Sequence, residues 1–113
     1  MNDYYVKAIL LQNCPYSVAA QQLLNNFKIP HQLTHITENE KINFKNNSID
    51  TFPQIYLRKY NTNGNLLLGG YDDLNYFVQT FKAKKLSTEN INKFMTKYKW
   101  SKKATLRFIQ LIN

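Results

Sequence analysis

YYVKAILLQNCPYSVAAQQLLNNF, residues 4–27, changes its hydrophobic period halfway. Residues 4–11 form an almost unbroken run of Tyr, Val, Ile and Leu, the pattern of a buried strand. From there Tyr16, Ala19, Ala20, Leu23, Leu24 and Phe27 fall at i, i+3, i+4 spacing, the apolar face of one helix. Pro15 takes the first helical position, where its missing N–H would have had no partner anyway. Cys14 therefore sits where a strand hands over to a helix. Unpaired backbone N–H groups and the helix dipole favour the thiolate at such a place. The thiolate is the nucleophilic form of cysteine, so the stretch predicts redox or thiol-transfer chemistry.

Working outward, Pro30 ends that helix and His31 to Ile36 reads as a second strand. Residues 38–47 are polar and read as a short helix anchored by Ile42 and Phe44. Pro53 to Leu57 is a third strand, and Asn61-Thr62-Asn63-Gly64 supplies turn chemistry for a hairpin into Leu66-Leu67-Leu68. Gly69-Gly70 breaks this strand. Asp72 or Asp73 then caps a helix with Leu74, Phe77, Val78 and Phe81 on its apolar face. Ser87 or Thr88 starts another, with Ile91, Phe94, Met95 and Tyr98 aligned, and residues 102–112 form a last one. A β-α-β start with a late hairpin implies an α/β fold, one mixed sheet with helices on both faces.

The chain of 113 residues is long enough for one core without covalent staples. Its single cysteine excludes a disulfide framework and fits a reducing compartment. Any oxidised intermediate must then be a mixed disulfide with another molecule. Residues 1–11 lack the basic start and small-residue cleavage site of a secretory leader, and no apolar run approaches the ~18–20 residues of a membrane span. These features predict a cytoplasmic protein with no membrane partner. The net charge of +8 is uneven. Residues 1–81 hold six basic and six acidic side chains, whereas residues 82–113 hold nine basic ones and only Glu89. Such a segment attracts polyanions or simply forms a solvated helical face.

Three segments carry a resemblance: Cys14-Pro15-Tyr16-Ser17, Thr51-Phe52-Pro53-Gln54-Ile55 and Gly69-Gly70-Tyr71-Asp72-Asp73-Leu74. In order and spacing they closely resemble the glutaredoxin family, over roughly residues 4–98. The resemblance implies a thioredoxin-like fold: a mixed four-stranded sheet with helices on both faces and an extra C-terminal helix. Residues 1–100 would be the glutaredoxin-like domain and residues 101–113 a basic amphipathic helical extension. It implies Cys14 as the catalytic nucleophile, supported by Pro15 and Ser17. It implies glutathione as co-substrate, in a groove formed by Tyr16, Thr51, Phe52, Pro53, Gly70, Tyr71, Asp72 and Asp73, with a cis peptide between Phe52 and Pro53. Partners would be glutathione and glutathionylated or disulfide-containing proteins. The physics agrees at the third segment. Glycines admit a close backbone approach, and a helix start with acidic side chains offers N–H groups to a carboxylate and a carboxylate to an ammonium, the two charged groups of a γ-glutamyl end.

Ser17 stands where dithiol members carry a second cysteine, which implies a monothiol mechanism. Leu11 stands where many members have Lys or Arg, and Asp50 where some have a basic residue. Lys7 and Lys45 are the candidate replacement cations. Two other readings compete. Some monothiol relatives bridge a [2Fe–2S] cluster between protomers with two glutathiones, but those usually have Gly or Ser after the cysteine, and Pro15 argues against it. A non-catalytic binding module would use the basic tail on nucleic acid or an acidic partner, and the full set of groove residues argues against that. His31 and His35 lie apart from the motifs, so no protein-only metal site is predicted.

Overall fold

The computed structural model describes residues 3–82 and 86–113. Among these residues the order is β1 (Tyr4–Leu11), α1 (Pro15–Asn26), β2 (His31–Ile36), a 3-10 helix (Glu38–Phe44), β3 (Gln54–Lys59), β4 (Asn65–Gly69), α2 (Tyr71–Phe81), α3 (Thr88–Tyr98) and α4 (Lys102–Ile112). The strands form one mixed sheet in the order β2-β1-β3-β4. β1 runs parallel to β2, with Val6 opposite His31, and antiparallel to β3, with Val6 opposite Leu57 and Ala8 opposite Ile55. β3 and β4 form the hairpin, with a register shift at Ile55/Tyr56. The fold is the thioredoxin-like α/β architecture expected from the motifs. None of the described helices is long and apolar enough to cross a membrane.

Strand alternation sorts the two faces. Val6, Ala8, Leu10, Ile55 and Leu57 join the main core with Leu24 of α1, Leu74, Phe77, Val78 and Phe81 of α2, and Phe94 of α3. The opposite face carries Ile9 and its cross-strand neighbour Gln54. Gln54 is buried, and its side-chain amide donates to the Phe44 carbonyl at 2.8 Å. This bond satisfies a polar group that would be costly to bury alone, and it pins the 3-10 helix over the second face. Phe44 is half-buried there, but Ile42 is 74% exposed. Ile42 is thus not the anchor that the sequence suggested; the tighter 3-10 winding and the Gln54 bond hold the segment instead.

Two further details differ from expectation. In α1 the fully buried stripe is Ser17, Ala20, Leu23 and Leu24, while Tyr16 is 61% exposed. In α2 the N-cap is Gly70, with Asp72 and Asp73 inside the first turn.

α4 closes the core on the chain's own domain. Phe108 stacks on Phe77 with ring centroids 4.0 Å apart and packs against Trp100 at 5.7 Å. The Trp100 indole N–H donates to the Leu67 carbonyl at 3.0 Å, tying the α3–α4 connection to β4. Ser87 and Ser101 cap α3 and α4 by accepting the N–H groups of Asn90 and Ala104. Lys102, Lys103 and Arg107 face solvent.

Candidate functional site

Cys14 is the N-cap of α1 and is half-buried. The turn that delivers it uses Asn13 in a left-handed conformation (φ 62°), which Asn tolerates better than most residues. Its ionisation is set by opposing effects. Burial pushes the thiol up, and this is the largest single influence. Several smaller ones together outweigh it: the Ser17 backbone N–H, the Ser17 hydroxyl, the Tyr16 backbone N–H and the charge of Lys41. The net result is a thiol pKa below its ordinary value, the direction expected at a helix start.

Ser17 has a double role in this balance. It is 2% exposed, and its Oγ accepts the Leu11 N–H at 3.0 Å. With its acceptor side occupied by the strand end, the hydroxyl proton is free to point at the sulfur. Leu11 thus contributes through its backbone N–H, not through a charged side chain. Among the described residues, the cation whose charge favours the Cys14 thiolate is Lys41, on the 3-10 helix, and not Lys7 or Lys45. Lys41 also pairs with Glu38 at 3.1 Å. The polar stretch around Lys41 gave no sequence signal for this role, because it depends on how the Gln54–Phe44 bond seats the segment.

Beside Cys14 lies a groove of about 420 Å³ lined by Tyr16, Thr51, Phe52, Pro53, Gly70, Tyr71, Asp72 and Asp73. Residues from three separated segments, all singled out in the sequence, are therefore brought to one concave surface. The Phe52–Pro53 peptide is cis. The Cys14 Sγ lies 3.9 Å from the Phe52 carbonyl, which links the thiol to the groove wall. Tyr16 and Tyr71 face each other with ring centroids 6.4 Å apart. Thr51 and Asp72 are exposed, Pro53 is buried, and Phe52, Gly70, Tyr71 and Asp73 are half-buried.

Asp73 is held on both oxygens. Its Oδ2 accepts the Gly70 N–H at 2.9 Å, and its Oδ1 accepts the Tyr98 hydroxyl at 2.6 Å. Gly69 has φ +136°, and a Cβ built on it would fall 2.1 Å from Asp73 Oδ2. That glycine is required by its backbone conformation and by the carboxylate it accommodates. Tyr98 appeared in the sequence as one residue of an apolar stripe; nothing in the spacing marked its hydroxyl as a partner of the groove. His31 and His35 lie on β2, away from the groove lining, and the described residues contain no cluster of three or more His, Cys, Asp or Glu side chains suited to a metal.

The arrangement can do one thing well: hold a reactive sulfur at the edge of a groove that is aromatic on one side and acidic at a helix start on the other. Comparison with known families agrees with that chemistry. The family model described as Glutaredoxin matches residues 3–59, just over half of the chain, from β1 through β3. No curated protein matches the chain.

Proposed function

The chain belongs to the glutaredoxin family of thiol–disulfide oxidoreductases, and from that premise we propose that it is a glutathione-dependent enzyme acting by a monothiol mechanism through Cys14. In the first step the Cys14 thiolate attacks the glutathione sulfur of a protein–glutathione mixed disulfide. The S–S bond of the substrate breaks, the target leaves as a thiolate and takes a proton from water, and Cys14 becomes glutathionylated. In the second step a free glutathione thiolate attacks the glutathione sulfur on Cys14. Oxidised glutathione leaves and the Cys14 thiolate returns. In the net reaction one free glutathione thiol is consumed, and the target's mixed disulfide is exchanged for the disulfide of oxidised glutathione.

The observation that carries this reading is the position of the only cysteine, at the start of α1 with its ionisation favoured, beside a groove lined by the Tyr16, Thr51–Pro53 and Gly70–Asp73 segments. In this proposal the exposed Thr51 and the Phe52 backbone pair with the peptide of glutathione. Tyr16 and Tyr71 pack on its sulfur end, and the α2 start takes the γ-glutamyl end through its N–H groups and Asp73. Ser17 cannot resolve a disulfide, which leaves resolution to a second glutathione. The lowered thiol pKa also favours Cys14 as a leaving group in the second step.

The test is direct. Incubation with a tenfold excess of oxidised glutathione is expected to add one glutathione mass per chain. Cys14→Ser should abolish both the adduct and the turnover of a small glutathione mixed disulfide. An unmodified wild-type mass under those conditions overturns the proposal.

A further inference from the structure

We propose that Tyr98 is a positioning residue of the groove: its phenol, together with the Gly70 N–H, clamps the Asp73 carboxylate in the orientation that receives the ammonium of a γ-glutamyl ligand. The proposal rests on the glutathione reading above and assigns a role to a residue outside the stretch that matches the family.

The clamp has two arms from different elements. The Gly70 N–H, at the N-cap of α2, donates to Oδ2 at 2.9 Å. The Tyr98 hydroxyl, in the last turn of α3, donates to Oδ1 at 2.6 Å. A short O–H···O⁻ contact of this kind is the charge-assisted form of the bond. A carboxylate offers about four acceptor positions, so one donor on each oxygen fixes the plane and leaves acceptor capacity on both for a ligand. One arm alone would leave the carboxyl free to turn about its Cβ–Cγ bond.

Tyr98 is itself held in place, as a clamp must be. Its ring lies 4.5 Å from that of Phe94 and 6.5 Å from that of Tyr76, and the Lys97 ammonium lies 5.5 Å from its centroid. Phe94 is fully buried and anchors this arm in the core. The phenol is kept in its donating, neutral form: burial raises its pKa most, followed by the hydrogen bond to Asp73 and the carboxylate's charge. A neutral donor orients Asp73 without cancelling its charge. A lysine in the same place would compete with the ligand's ammonium for that charge.

Steady-state kinetics on a small glutathione mixed disulfide, with wild type, Tyr98→Phe, Asp73→Asn and the double variant, tests this. Tyr98→Phe should raise KM by roughly three- to tenfold while leaving kcat and the alkylation rate of Cys14 by iodoacetamide nearly unchanged. In the Asp73→Asn background the same substitution should add nothing to KM. An equal KM rise in both backgrounds would show that Tyr98 acts through the packing of α3, and an unchanged KM in Tyr98→Phe would end the proposal outright. A readout without ligand guards against a variant that folds poorly. With 13C-labelled tyrosine, the Tyr98 phenol should titrate above its ordinary range in wild type and move back towards it in Asp73→Asn. An ordinary titration in wild type also overturns the clamp. If wild type forms no glutathione adduct and shows no turnover, the fault lies with the glutathione reading, and that failure is visible before any variant is made.

Discussion

At the scale of single residues, the reactivity of Cys14 is a contest that burial alone would lose for the enzyme. Desolvation opposes the thiolate, and the Ser17 N–H, the Ser17 hydroxyl, the Tyr16 N–H and Lys41 reverse the outcome. The sign of the pH dependence follows. A folded pKa below the free value of about 8.5 means that the thiolate persists at lower pH, so the rate of alkylation should reach its half-maximum below that value. Ser17→Ala removes the hydroxyl and should move the midpoint upward, and it should also leave the Leu11 N–H without its acceptor. Lys41→Gln should shift the midpoint in the same direction by a smaller amount, and added salt should shrink that difference in proportion to screening. Iodoacetamide rates measured from pH 5 to 10 decide all three. A wild-type midpoint at or above the free-cysteine value would refute the helix-start account, and a Lys41→Gln profile superimposable on wild type would remove Lys41 from it. Cys14 and Ser17 were legible from sequence because their roles are local, within one turn. Lys41 was not, because its charge acts on Cys14 across space from a 3-10 segment whose seating, helped by the Gln54–Phe44 bond, no local pattern announces.

The element that organises the acidic end of the groove is the passage from β4 into α2. The dipeptide Gly69-Gly70 signals a break in the strand, but its two glycines have different duties. Gly69 combines φ +136° with a carboxylate oxygen lying where its Cβ would be. Gly64, in the hairpin, has nothing within 4 Å of a built Cβ and no positive φ. Gly69→Ala should therefore cost about 1–3 kcal/mol of stability from the backbone conformation, and displace Asp73 as well, so that KM for a glutathione mixed disulfide rises. Gly64→Ala should be neutral or stabilising by a few tenths of a kcal/mol. Urea unfolding of the two variants reads the contrast, and equal midpoints would refute it. The same passage offers Asp72 and Asp73 as cap candidates in the sequence. Both are acidic residues at a helix start, the pattern that capping favours. The chain enters α2 two to three residues earlier than that pattern suggests, with Gly70 as the N-cap, and this puts Asp73 where its carboxylate can reach back to the Gly70 N–H and across to Tyr98. The strands and helices could be read from periodicity; this local geometry required the position of α3.

At the scale of the whole molecule, the C-terminal helices resolve an ambiguity in the charge pattern. A stretch so basic can be a solvated tail or a packed element. In α4 the two properties occupy different faces: Lys102, Lys103 and Arg107 are exposed, while Phe108, Ile109, Leu111 and Ile112 are buried. The helix end is fastened by the Lys82 ammonium, which donates to the Ile112 carbonyl, and by the Asn113 amide, which donates to the Phe81 carbonyl at 3.1 Å. Amphipathic spacing made this face legible in advance, since a purely electrostatic tail has no use for so many large apolar side chains. What spacing could not reveal was the partner: Phe77 of α2 and Trp100, in the same core that supports Leu74 and hence the start of α2. Stability and charge should therefore separate cleanly by mutation. Phe108 is 1% exposed and stacked between two aromatic rings, so Phe108→Ala should cost about 3–5 kcal/mol, a large part of the ~5–15 kcal/mol that holds a domain of this size. Replacing Lys102, Lys103 and Arg107 together by Gln should change stability by no more than about 0.5 kcal/mol per site, while weakening retention on heparin. Neither change touches the thiol, so the Cys14 alkylation rate should be the same in each folded variant as in wild type. Urea unfolding followed by Trp100 fluorescence measures the first pair of effects. If the triple charge variant loses as much stability as Phe108→Ala, the helix is held by its charges and the packing account of α4 is wrong.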